Sequence, residues 1–356
     1  MRKILRFAFS FLASLALFFV TFILFTWFTR YIPPTEEPVD AFKIPFPPVN
    51  ENHISDTLKL VTWNIGYAGL GASMDFFYDG GSKVRCSKQE TLENLGGIIH
   101  HPSLARYPDF ILFQEVDQHA KRTYFINEAD SISAAFPNHA AWFVKNYDVL
   151  FVPVPWYNPM GRVVAGLVTL SKYQPTQSIR RKLPGEFSFI TQLFMLNRCA
   201  HILRFPATKG HELVLVNTHN TAFDDGTQRV AQWSFLHDFA LNEFSKGNYV
   251  IIGGDFNLNP PCFNPNLIST GDAPYRQPGD FPPCSSFPAG WNFIYQQNIP
   301  TNRNLDTHYI KGRTPVTTID FFILSPNISC IYQKTWYDGF RFSDHHPLEI
   351  QIVLKK

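Results

Sequence analysis

The sequence predicts an α/β fold in which two β-sheets form a sandwich, preceded by one N-terminal transmembrane helix. Apolar runs rich in β-branched and aromatic residues follow one another through the middle of the chain, which favours several consecutive strands. No G-x-G-x-x-G motif follows the first of these runs, so a doubly wound dinucleotide-binding sheet loses its main support. A long uncharged run near the N-terminus predicts the helix.

The composition is that of a folded protein with a sizeable core. Of 356 residues, 45% are hydrophobic and 17% are charged, which excludes a largely disordered chain. The net charge is +2 and the chain has no block of Lys or Arg. These charges argue against a partner held mainly by phosphate neutralisation, such as long duplex DNA. No obligate protein partner is evident.

The first 30 residues are predicted to be a signal anchor. The run from Phe7 to Phe28 corresponds to about 33 Å of helix at roughly 1.5 Å per residue, enough to cross a bilayer core. Three basic residues precede it, so the positive-inside rule predicts a single-pass protein with a cytoplasmic N-terminus and an extracytoplasmic domain. Secretion after signal cleavage is the alternative, although a cleaved signal is usually shorter and ends in small residues, unlike Trp27-Phe28.

Residues 31–57 are predicted to be a Pro-rich linker, and residues 58–356 the catalytic domain. The linker has little periodic hydrophobicity and reads as an extended stalk. Its prolines are Pro33, Pro34, Pro38, Pro45, Pro47 and Pro48.

The five cysteines show no C-x-x-C spacing, which argues against a zinc knuckle. In an exported domain, Cys262 and Cys284 could form a disulfide across the Pro-rich loop between them. Simple buried thiols are an equally good interpretation.

Hydrophobic periodicity predicts the elements of the domain. As far as position 205 these are strand Leu58–Trp63, loop Gly66–Gly81, helix Gln89–His100, and strands Asp109–Phe113, Asp148–Val152, Val163–Leu170, Phe187–Leu196 and Ala200–Phe205. Further along they are strand Leu213–Asn217, helix Gln228–Phe244, strand Tyr249–Ile252, loop Asn259–Pro300, and strands Thr317–Leu324 and Leu348–Leu354.

Polar residues of catalytic type recur where predicted strands end. Strand Tyr249–Ile252 is followed by two glycines and then by Asp255 and Asn257. A buried strand is rigid, and glycines beside it allow another backbone or a phosphate to come close. The other endings are Trp63-Asn64, Gln114-Glu115, Thr218-His219-Asn220 and Ile319-Asp320, with Ser343-Asp344-His345 entering the last strand. Such endings predict one shared site at a rim of the sheets.

With these residues the sequence resembles the endonuclease/exonuclease/phosphatase superfamily. The matching strings occur in family order and span roughly 60–347: T-W-N at 62–64, Q-E at 114–115, N-T-H at 217–219, G-D-F-N at 254–257, I-D at 319–320 and S-D-H-H-P at 343–347. The resemblance implies a four-layer, deoxyribonuclease-like sandwich and metal-dependent hydrolysis of a phosphoester.

The family roles imply a metal ligand set of Glu115, as principal ligand, with Asn64 and Asp344 acting directly or through water. These residues offer only oxygen atoms, which suits Mg²⁺ or Mn²⁺ and not a structural zinc.

The resemblance also implies a catalytic set. His345 would take a proton from the attacking water, with Asp320 holding the required tautomer. Asp255 and Asn257 would orient that water, and whether Asp255 or His345 is the formal base stays open. His346 is interpreted as a packing or rim histidine.

Two residues are expected to bind the substrate phosphate. His219 can donate a hydrogen bond to a phosphoryl oxygen and so also contributes to catalysis. Asn146 matches a further phosphate-binding asparagine of the family, on a weaker string, Lys145-Asn146-Tyr147.

These residues are compatible with three functions. The leading hypothesis is a membrane-anchored phosphodiesterase that acts on a lipid head group or a small organic phosphodiester. An extracytoplasmic DNA or RNA nuclease is the alternative, because the aromatic segments 74–78 and 151–157 could stack on bases as well as enter a membrane interface. The same segments could equally be ordinary core. A degenerate binding module is less favoured, since all expected catalytic residue types are present.

Overall fold

Two β-sheets pack face to face in this computed structural model, and helices cover their outer faces. The four layers confirm the predicted two-sheet α/β sandwich. The structure describes residues 2–44, 54–222, 224–268, 274–279 and 282–355. Pro45, Pro47 and Pro48 of the predicted linker lie outside these ranges, as do residues 269–273 and 280–281 of the predicted loop 259–300.

The elements, in chain order, are as follows. The first part of the chain contains α1 (Arg2–Thr29), β1 (Glu36–Pro38), β2 (Thr57–Asn64), α2 (Lys88–Ile99), β3 (Phe110–Asp117), α3 (Glu128–Ala135), β4 (Ala140–Val152), β5 (Gly161–Ser171) and β6 (Gln177–Lys182). The remainder contains β7 (Cys199–Pro206), β8 (Glu212–His219), α4 (Thr227–Ser245), β9 (Tyr249–Asp255), β10 (Asn292–Ile294), β11 (Asn302–Arg303), β12 (Val316–Thr317), β13 (Asp320–Leu324), β14 (Ile328–Thr335) and β15 (Leu348–Leu354).

The larger sheet has the order β1-β6-β7-β8-β9-β13-β10, and the other has the order β14-β15-β2-β3-β5-β4. Within each sheet one central pair is parallel, β8 with β9 and β2 with β3. Each parallel pair is joined by a crossover through a helix, α4 or α2. The carboxyl ends of β2, β3, β8 and β9 therefore deliver side chains to a common rim.

Side-chain alternation along the central strands builds the layers. In β2, Leu58 and Leu60 belong to the core between the sheets, whereas Val61 and Trp63 belong to the core beneath α2 and α3. The helix α2 begins at a capping box, in which Ser87 Oγ accepts from the Glu90 amide while the Glu90 carboxylate accepts from the Ser87 amide.

The close approach of β8 and β9 requires glycine at position 254. Gly254 has φ of +146°, and a Cβ there would lie 2.0 Å from the Thr218 carbonyl oxygen. A side chain would push the two strands apart at the point where they deliver His219 and Asp255.

One predicted strand is wrong. Phe187–Leu196 is a loop with a short 3-10 turn at Thr191–Leu193, although its aromatic residues are typical of a strand. Its apolar side chains contact α1 and line a cavity instead of pairing in a sheet. Conversely, α3, β6 and β14 were not expected, and β4 begins eight residues earlier than the predicted Asp148. The predicted Thr317–Leu324 strand is interrupted between β12 and β13.

Part of the predicted linker lies on the domain. Residues Glu36–Pro38 pair with Ile179–Arg181 at the edge of the larger sheet. Further along, the Phe42 amide donates to the Ala141 carbonyl, and the Lys43 ammonium contacts the Ser133 carbonyl. An extended Pro-rich chain is well suited to this edge, because its free backbone groups can pair with one neighbouring strand.

The helix α1 is the one described helix that is long and apolar enough to cross a membrane, with a mean hydropathy of 2.4. A signal sequence near the N-terminus can also be long and apolar enough to meet this criterion. The pair Cys262–Cys284 is disulfide-bonded, and Cys86, Cys199 and Cys330 are free thiols.

Candidate active site

Four predicted residues come from the carboxyl ends of the two parallel strand pairs. Asn64 ends β2, and Glu115 lies near the end of β3, next to Gln114, which pairs with Asn64. His219 ends β8 directly opposite Asp255, which ends β9. The two sheets pack face to face, so these pairs meet across the sandwich: Asn64 Nδ2 donates to Asp255 Oδ2 at 3.0 Å. Residues 191 positions apart in the chain are thus in direct contact.

Asp320 and His345 join this group from the antiparallel strands. Asp320 begins β13 opposite Asp255. The chain before β15 is fastened to the end of β2, since Trp63 Nε1 donates to the His345 carbonyl at 2.9 Å and Ser343 Oγ donates to the Asn64 carbonyl at 2.8 Å. These bonds aim the His345 ring between the two aspartates.

Asp320, His345 and Asp255 form a buried chain of ionisable groups. His345 Nδ1 lies 2.8 Å from Asp320 Oδ2, and His345 Nε2 lies 3.8 Å from Asp255 Oδ2. Burial lowers the pKa of His345, but the surrounding carboxylates, first Asp320, outweigh it and raise the pKa to about 10. Burial, together with the nearby Asp320 charge, raises the pKa of Asp255 to about 7. Of these groups Asp255 has the pKa that lets it accept a proton near neutral pH, whereas His345 holds its proton there.

His219 lies on the other side of Asp255. Its Nε2 is 3.5 Å from Asp255 Oδ2 and 3.9 Å from Glu115 Oε1. Burial lowers the pKa of His219 well below its usual value, and the Arg198 and His345 charges lower it further. The lowered pKa favours the neutral ring, which has one N–H to donate.

Glu115 and Asp344 fit a divalent cation. Both line the cavity, and burial together with the Glu115 charge raises the pKa of Asp344 to about 6, against the opposing effect of His345. Two carboxylates that repel one another in a partly dry cleft are a donor set for a hard cation, which would relieve that repulsion. The backbone of Glu115 has φ of +53°, an uncommon conformation for a residue with a side chain and one that recurs at functional sites.

Asn64 differs in orientation from the expected ligand. Its Oδ1 accepts from the Gly66 amide at 3.0 Å, and its Nδ2 donates to Glu115 Oε1 at 3.2 Å. In this orientation the amide positions Glu115 and Asp255 rather than presenting oxygen to a cation. Its role as a direct ligand stays a prediction that would require the amide group to rotate.

Asn257 and Asn146 also reach the cavity. The backbone amide of Asn257 donates to Asp255 Oδ1 at 2.9 Å, and its side-chain amide donates to the Asn220 carbonyl at 3.0 Å. Asn257 itself has φ of +51°. Asn146 is buried at a register shift in the β4–β5 pair. His346, in contrast, points away: its ring stacks on Phe340 at 3.8 Å, and Nδ1 lies 2.9 Å from the Pro300 carbonyl.

The structure adds residues that the sequence did not indicate. Asn302 Nδ2 is 2.9 Å from His345 Nε2, and Arg198 lines the cavity with a buried Nη1 that has no hydrogen-bond partner among the described residues. Tyr67 also lines it, and the Arg122 guanidinium stacks 3.6 Å from its ring centre. None of these follows an apolar strand ending in a recognisable string, so only a three-dimensional arrangement reveals them.

These residues surround one cavity of about 220 Å³. Glu115, His219, Asp255, Asp344 and His345 form its polar side, and Asn64 and Asp320 lie behind them. The rest of the lining combines polar and apolar side chains. The polar ones include Asp79, Arg122, Arg198, Arg276 and Arg303, and the others include Tyr67, Phe76, Met160, Phe187, Met195 and Leu196.

Comparisons with known proteins agree on the family and on the fold. The model of the Endonuclease/Exonuclease/phosphatase family matches residues 61–345. The chain is similar to the solved structure of ANGEL2, described as a 2',3'-cyclic phosphatase, with a TM-score of 0.53 and 13% identity over 92% of this chain and 100% of that one. No curated protein matches significantly.

Two further solved structures share the fold. The human Nocturnin catalytic domain with bound sulfate has a TM-score of 0.50 and 16% identity over 85% of this chain and 96% of that one. D. rerio TDP2 complexed with a single-strand DNA product has a TM-score of 0.51 and 14% identity over 84% and 99%, respectively. At these identities the likeness establishes the fold alone.

Proposed function

The chain belongs to the endonuclease/exonuclease/phosphatase family, and from that premise we propose that it is a membrane-anchored phosphodiesterase for a lipid head group or a small organic phosphodiester. The family hydrolyses phosphoric esters with the help of a divalent metal, and this chain is such a hydrolase. The finer proposal concerns the metal, the residue roles, the substrate and the location.

The proposal depends most on the cluster of Asp320, His345 and Asp255. One carboxylate oxygen of each aspartate and one ring nitrogen of the histidine all lie within 4.8 Å of one another. A proton removed from water can be held on the His345–Asp255 pair, while Asp320 keeps His345 Nδ1 protonated and its Nε2 directed at the cavity. Asn302 Nδ2 can donate to Nε2 only while that nitrogen is unprotonated, so this contact holds the neutral ring.

The remaining polar residues bind and orient the ester. His219, neutral and with one N–H to donate, can bind a phosphoryl oxygen, and Asn146 lies on the same cavity wall. Asn257 holds Asp255, and through it the attacking water. Glu115 and Asp344 would hold Mg²⁺ or Mn²⁺, with Asn64 positioning Glu115. Once bound, the cation would neutralise negative charge on the phosphoryl oxygens.

An extracytoplasmic location is part of the proposal. The basic residues before the apolar run of α1 support a cytoplasmic N-terminus, and the Cys262–Cys284 disulfide suits an oxidising compartment. Secretion after signal cleavage is the alternative that uses the same chemistry.

Turnover of bis-p-nitrophenyl phosphate by the purified full chain tests the chemistry. We expect hydrolysis with Mg²⁺ or Mn²⁺, its loss in EDTA, and its recovery when the metal is restored. Hydrolysis that EDTA leaves unchanged would contradict the metal site, and the absence of hydrolysis with either metal would contradict the enzyme proposal.

A nuclease is the second candidate, because Tyr67, Phe76 and Tyr78 form an aromatic wall on which bases could stack. The fold of TDP2, solved with a single-strand DNA product, accommodates a nucleic acid. Plasmid and single-stranded DNA, assayed beside phospholipid vesicles, separate the two functions, since the favoured substrate class should be turned over far faster than the other.

A further inference from the structure

Six exposed apolar side chains lie on two segments of the catalytic domain that contact α1. They are 41–87% exposed and come from two segments, the end of β4 with the hairpin that follows it and the loop between β6 and β7. We refer to them as the apolar rim: Leu150, Phe151, Trp156, Tyr157, Phe189 and Ile190. Large apolar groups gathered on a surface commonly mark an interaction site.

The end of α1 packs directly against this rim. The Phe22 ring stacks on Phe194 at 6.0 Å and meets the edge of Phe151 at 6.3 Å. One and a half turns later, Trp27 packs on Phe189 at 4.7 Å. The two rim segments therefore flank the helix at the level where it leaves the membrane.

The position of these contacts along α1 defines how deep the apolar rim would lie in the membrane. The apolar run continues from Phe22 to Phe28, which is about 9 Å of helix at roughly 1.5 Å per residue. When the whole apolar run, Phe7–Phe28, spans a bilayer core of about 30 Å, side chains that contact Phe22 lie below the membrane surface. Surface-bound amphipathic elements bury their apolar groups by about 5–10 Å, which is the same depth.

The chemistry of the rim is that of a membrane interface. Trp156, the most exposed of the six at 87%, is adjacent to Tyr157, and such amphipathic rings favour the head-group level. Two cations hold the hairpin beside them: Arg85 Nη2 donates to Asn158 Oδ1 at 2.8 Å, and Lys121 Nζ donates to the Pro159 carbonyl at 3.4 Å. Basic groups at this level are attracted to anionic lipids.

The same two segments form walls of the catalytic cavity. Phe187, Met195 and Leu196 from the β6–β7 loop line it, and Met160 lines it from the β4–β5 hairpin. The two segments that carry the rim therefore also supply apolar side chains to the cavity, which Glu115, His219 and His345 line as well. An acyl-chain-bearing substrate could follow this path with its phosphate directed at Glu115 and His345.

We propose that the apolar rim inserts into the bilayer that α1 crosses, so that the catalytic cavity opens onto lipid head groups and the substrate is a phospholipid of that membrane. This inference rests on the proposed phosphodiesterase function and on the membrane anchor. It adds the docking surface and the direction from which the substrate enters.

Insertion is tested with a fluorophore, independently of activity. The full chain, in a Cys330→Ser background, is placed in phosphatidylcholine–phosphatidylglycerol nanodiscs with an environment-sensitive probe on Trp156→Cys or, as a control, on Ile331→Cys. Ile331 is 57% exposed on β14, at the edge of its sheet opposite to β4. We expect a blue shift and quenching by spin-labelled lipid at 156 and neither at 331. Equal signals at both positions would overturn the insertion.

The substrate is tested with a matched pair of charge substitutions, Ile190→Asp and Ile331→Asp, in the same nanodiscs. We expect Ile190→Asp to lower phospholipid turnover about tenfold or more, since a carboxylate opposes insertion, and to leave hydrolysis of soluble bis-p-nitrophenyl phosphate unchanged. Ile331→Asp should change neither rate. Unaltered phospholipid turnover by Ile190→Asp, or DNA cleavage without lipid turnover, would overturn the inference.

The two assays separate the two levels of the proposal. If no phosphodiester is hydrolysed, the proposed function fails while the fluorescence result still reports on the rim. If the soluble ester is hydrolysed but the probe at 156 remains in water, the rim proposal fails and the phosphodiesterase stands.

Discussion

The histidines of the S-D-H-H-P string, although adjacent, have opposite surroundings. His345 lies among Asp320, Asp255 and Asn302 at the cavity, whereas His346 packs on Phe340 outside it. The two residues are consecutive on an extended chain entering β15, so their side chains point to opposite faces. A single position in the string thus separates a histidine at the cavity, proposed to take part in proton transfer, from a packing histidine.

Replacing each histidine by alanine should therefore have different effects. We expect His345→Ala to lower kcat by about 10²–10⁴, the usual contribution of a positioned base. His346→Ala should keep most of the turnover per folded molecule and lower the free energy of unfolding by about 0.5–3 kcal/mol, because it removes a buried stacked ring. Turnover of bis-p-nitrophenyl phosphate and urea unfolding measure the two effects. A larger kcat loss in His346→Ala would mean that the roles are reversed.

Glu115→Gln tests the metal site without a change in side-chain shape. We expect the Mg²⁺ concentration for half-maximal activity to rise by about tenfold or more, because an amide oxygen replaces a carboxylate. The Mg²⁺-dependent rise in melting temperature should shrink in parallel. Glu93→Gln, on the exposed face of α2, is the control and should match the parent protein. Unchanged metal dependence would remove Glu115 from the ligand set.

At the scale of elements, an ion cluster ties the end of α4 to the larger sheet. Glu243 accepts from Arg204 Nη1 at 2.8 Å, from Lys246 Nζ at 2.7 Å and from Asn248 Nδ2 at 2.9 Å. Burial opposes its ionisation, but these hydrogen bonds outweigh it and lower the pKa of Glu243 to about 2. The cluster stabilises the crossover that leads from β8 to β9, and hence the position of Asp255.

Glu243→Gln should destabilise the domain in a pH-dependent manner. We expect a loss of about 1.5–3 kcal/mol near neutral pH, the usual range for hydrogen bonds to a charged group. The folded pKa of about 2 lies below the ordinary value of 4.5, so the contribution is complete above pH 4.5 and declines as the pH falls towards 2. Urea unfolding of parent and variant across this window measures it.

The exposed pair Lys182–Glu186 provides the control for this prediction. Glu186→Gln should change stability by less than about 1 kcal/mol at every pH, since solvent screens the pair. A constant difference between Glu243→Gln and the parent protein from pH 7 down to pH 2 would contradict the ionic origin of the effect.

At the scale of the whole molecule, the end of α1 packs on the domain, because Phe22 and Trp27 contact the loop that lines the cavity. The residues after the helix are also held, through the pairing of β1 with β6. With α1 as the proposed membrane anchor, this attachment would restrict the orientation of the cavity, whereas a free stalk would not.

Leu17→Arg tests whether α1 is an anchor. An arginine at the centre of a membrane helix costs about 2.5–3.5 kcal/mol of insertion free energy, so we expect a lower membrane-bound fraction after alkaline extraction. Leu17→Ala is the control and should remain in the membrane. Protease added to the outside of intact cells should digest the domain of the parent protein. A shortened soluble form lacking residues 1–30 would instead support a cleaved signal.

Local physics determined much of this protein from sequence alone. Period-two alternation and β-branched runs identify the central strands, and a long uncharged run identifies α1, because each depends on residues close together in the chain. The strings at 62–64, 114–115, 217–219, 254–257, 319–320 and 343–347 contain the histidines of the cavity lining and its carboxylates except Asp79, whereas its arginines lie outside them. Their convergence follows from strand ends that share a rim.

Only the tertiary structure decided the features that depend on distant partners. The orientation of the Asn64 amide depends on Gly66, Glu115 and Asp255 together, and Asn302 meets His345 only because the chain before β15 is fastened to β2. The Phe187–Leu196 segment has the composition of a strand but no neighbouring strand with which to pair, so it became a wall between α1 and the cavity. Hydrogen bonds and apolar contacts between residues far apart in sequence leave no periodic signal, which is why sequence patterns could not predict them.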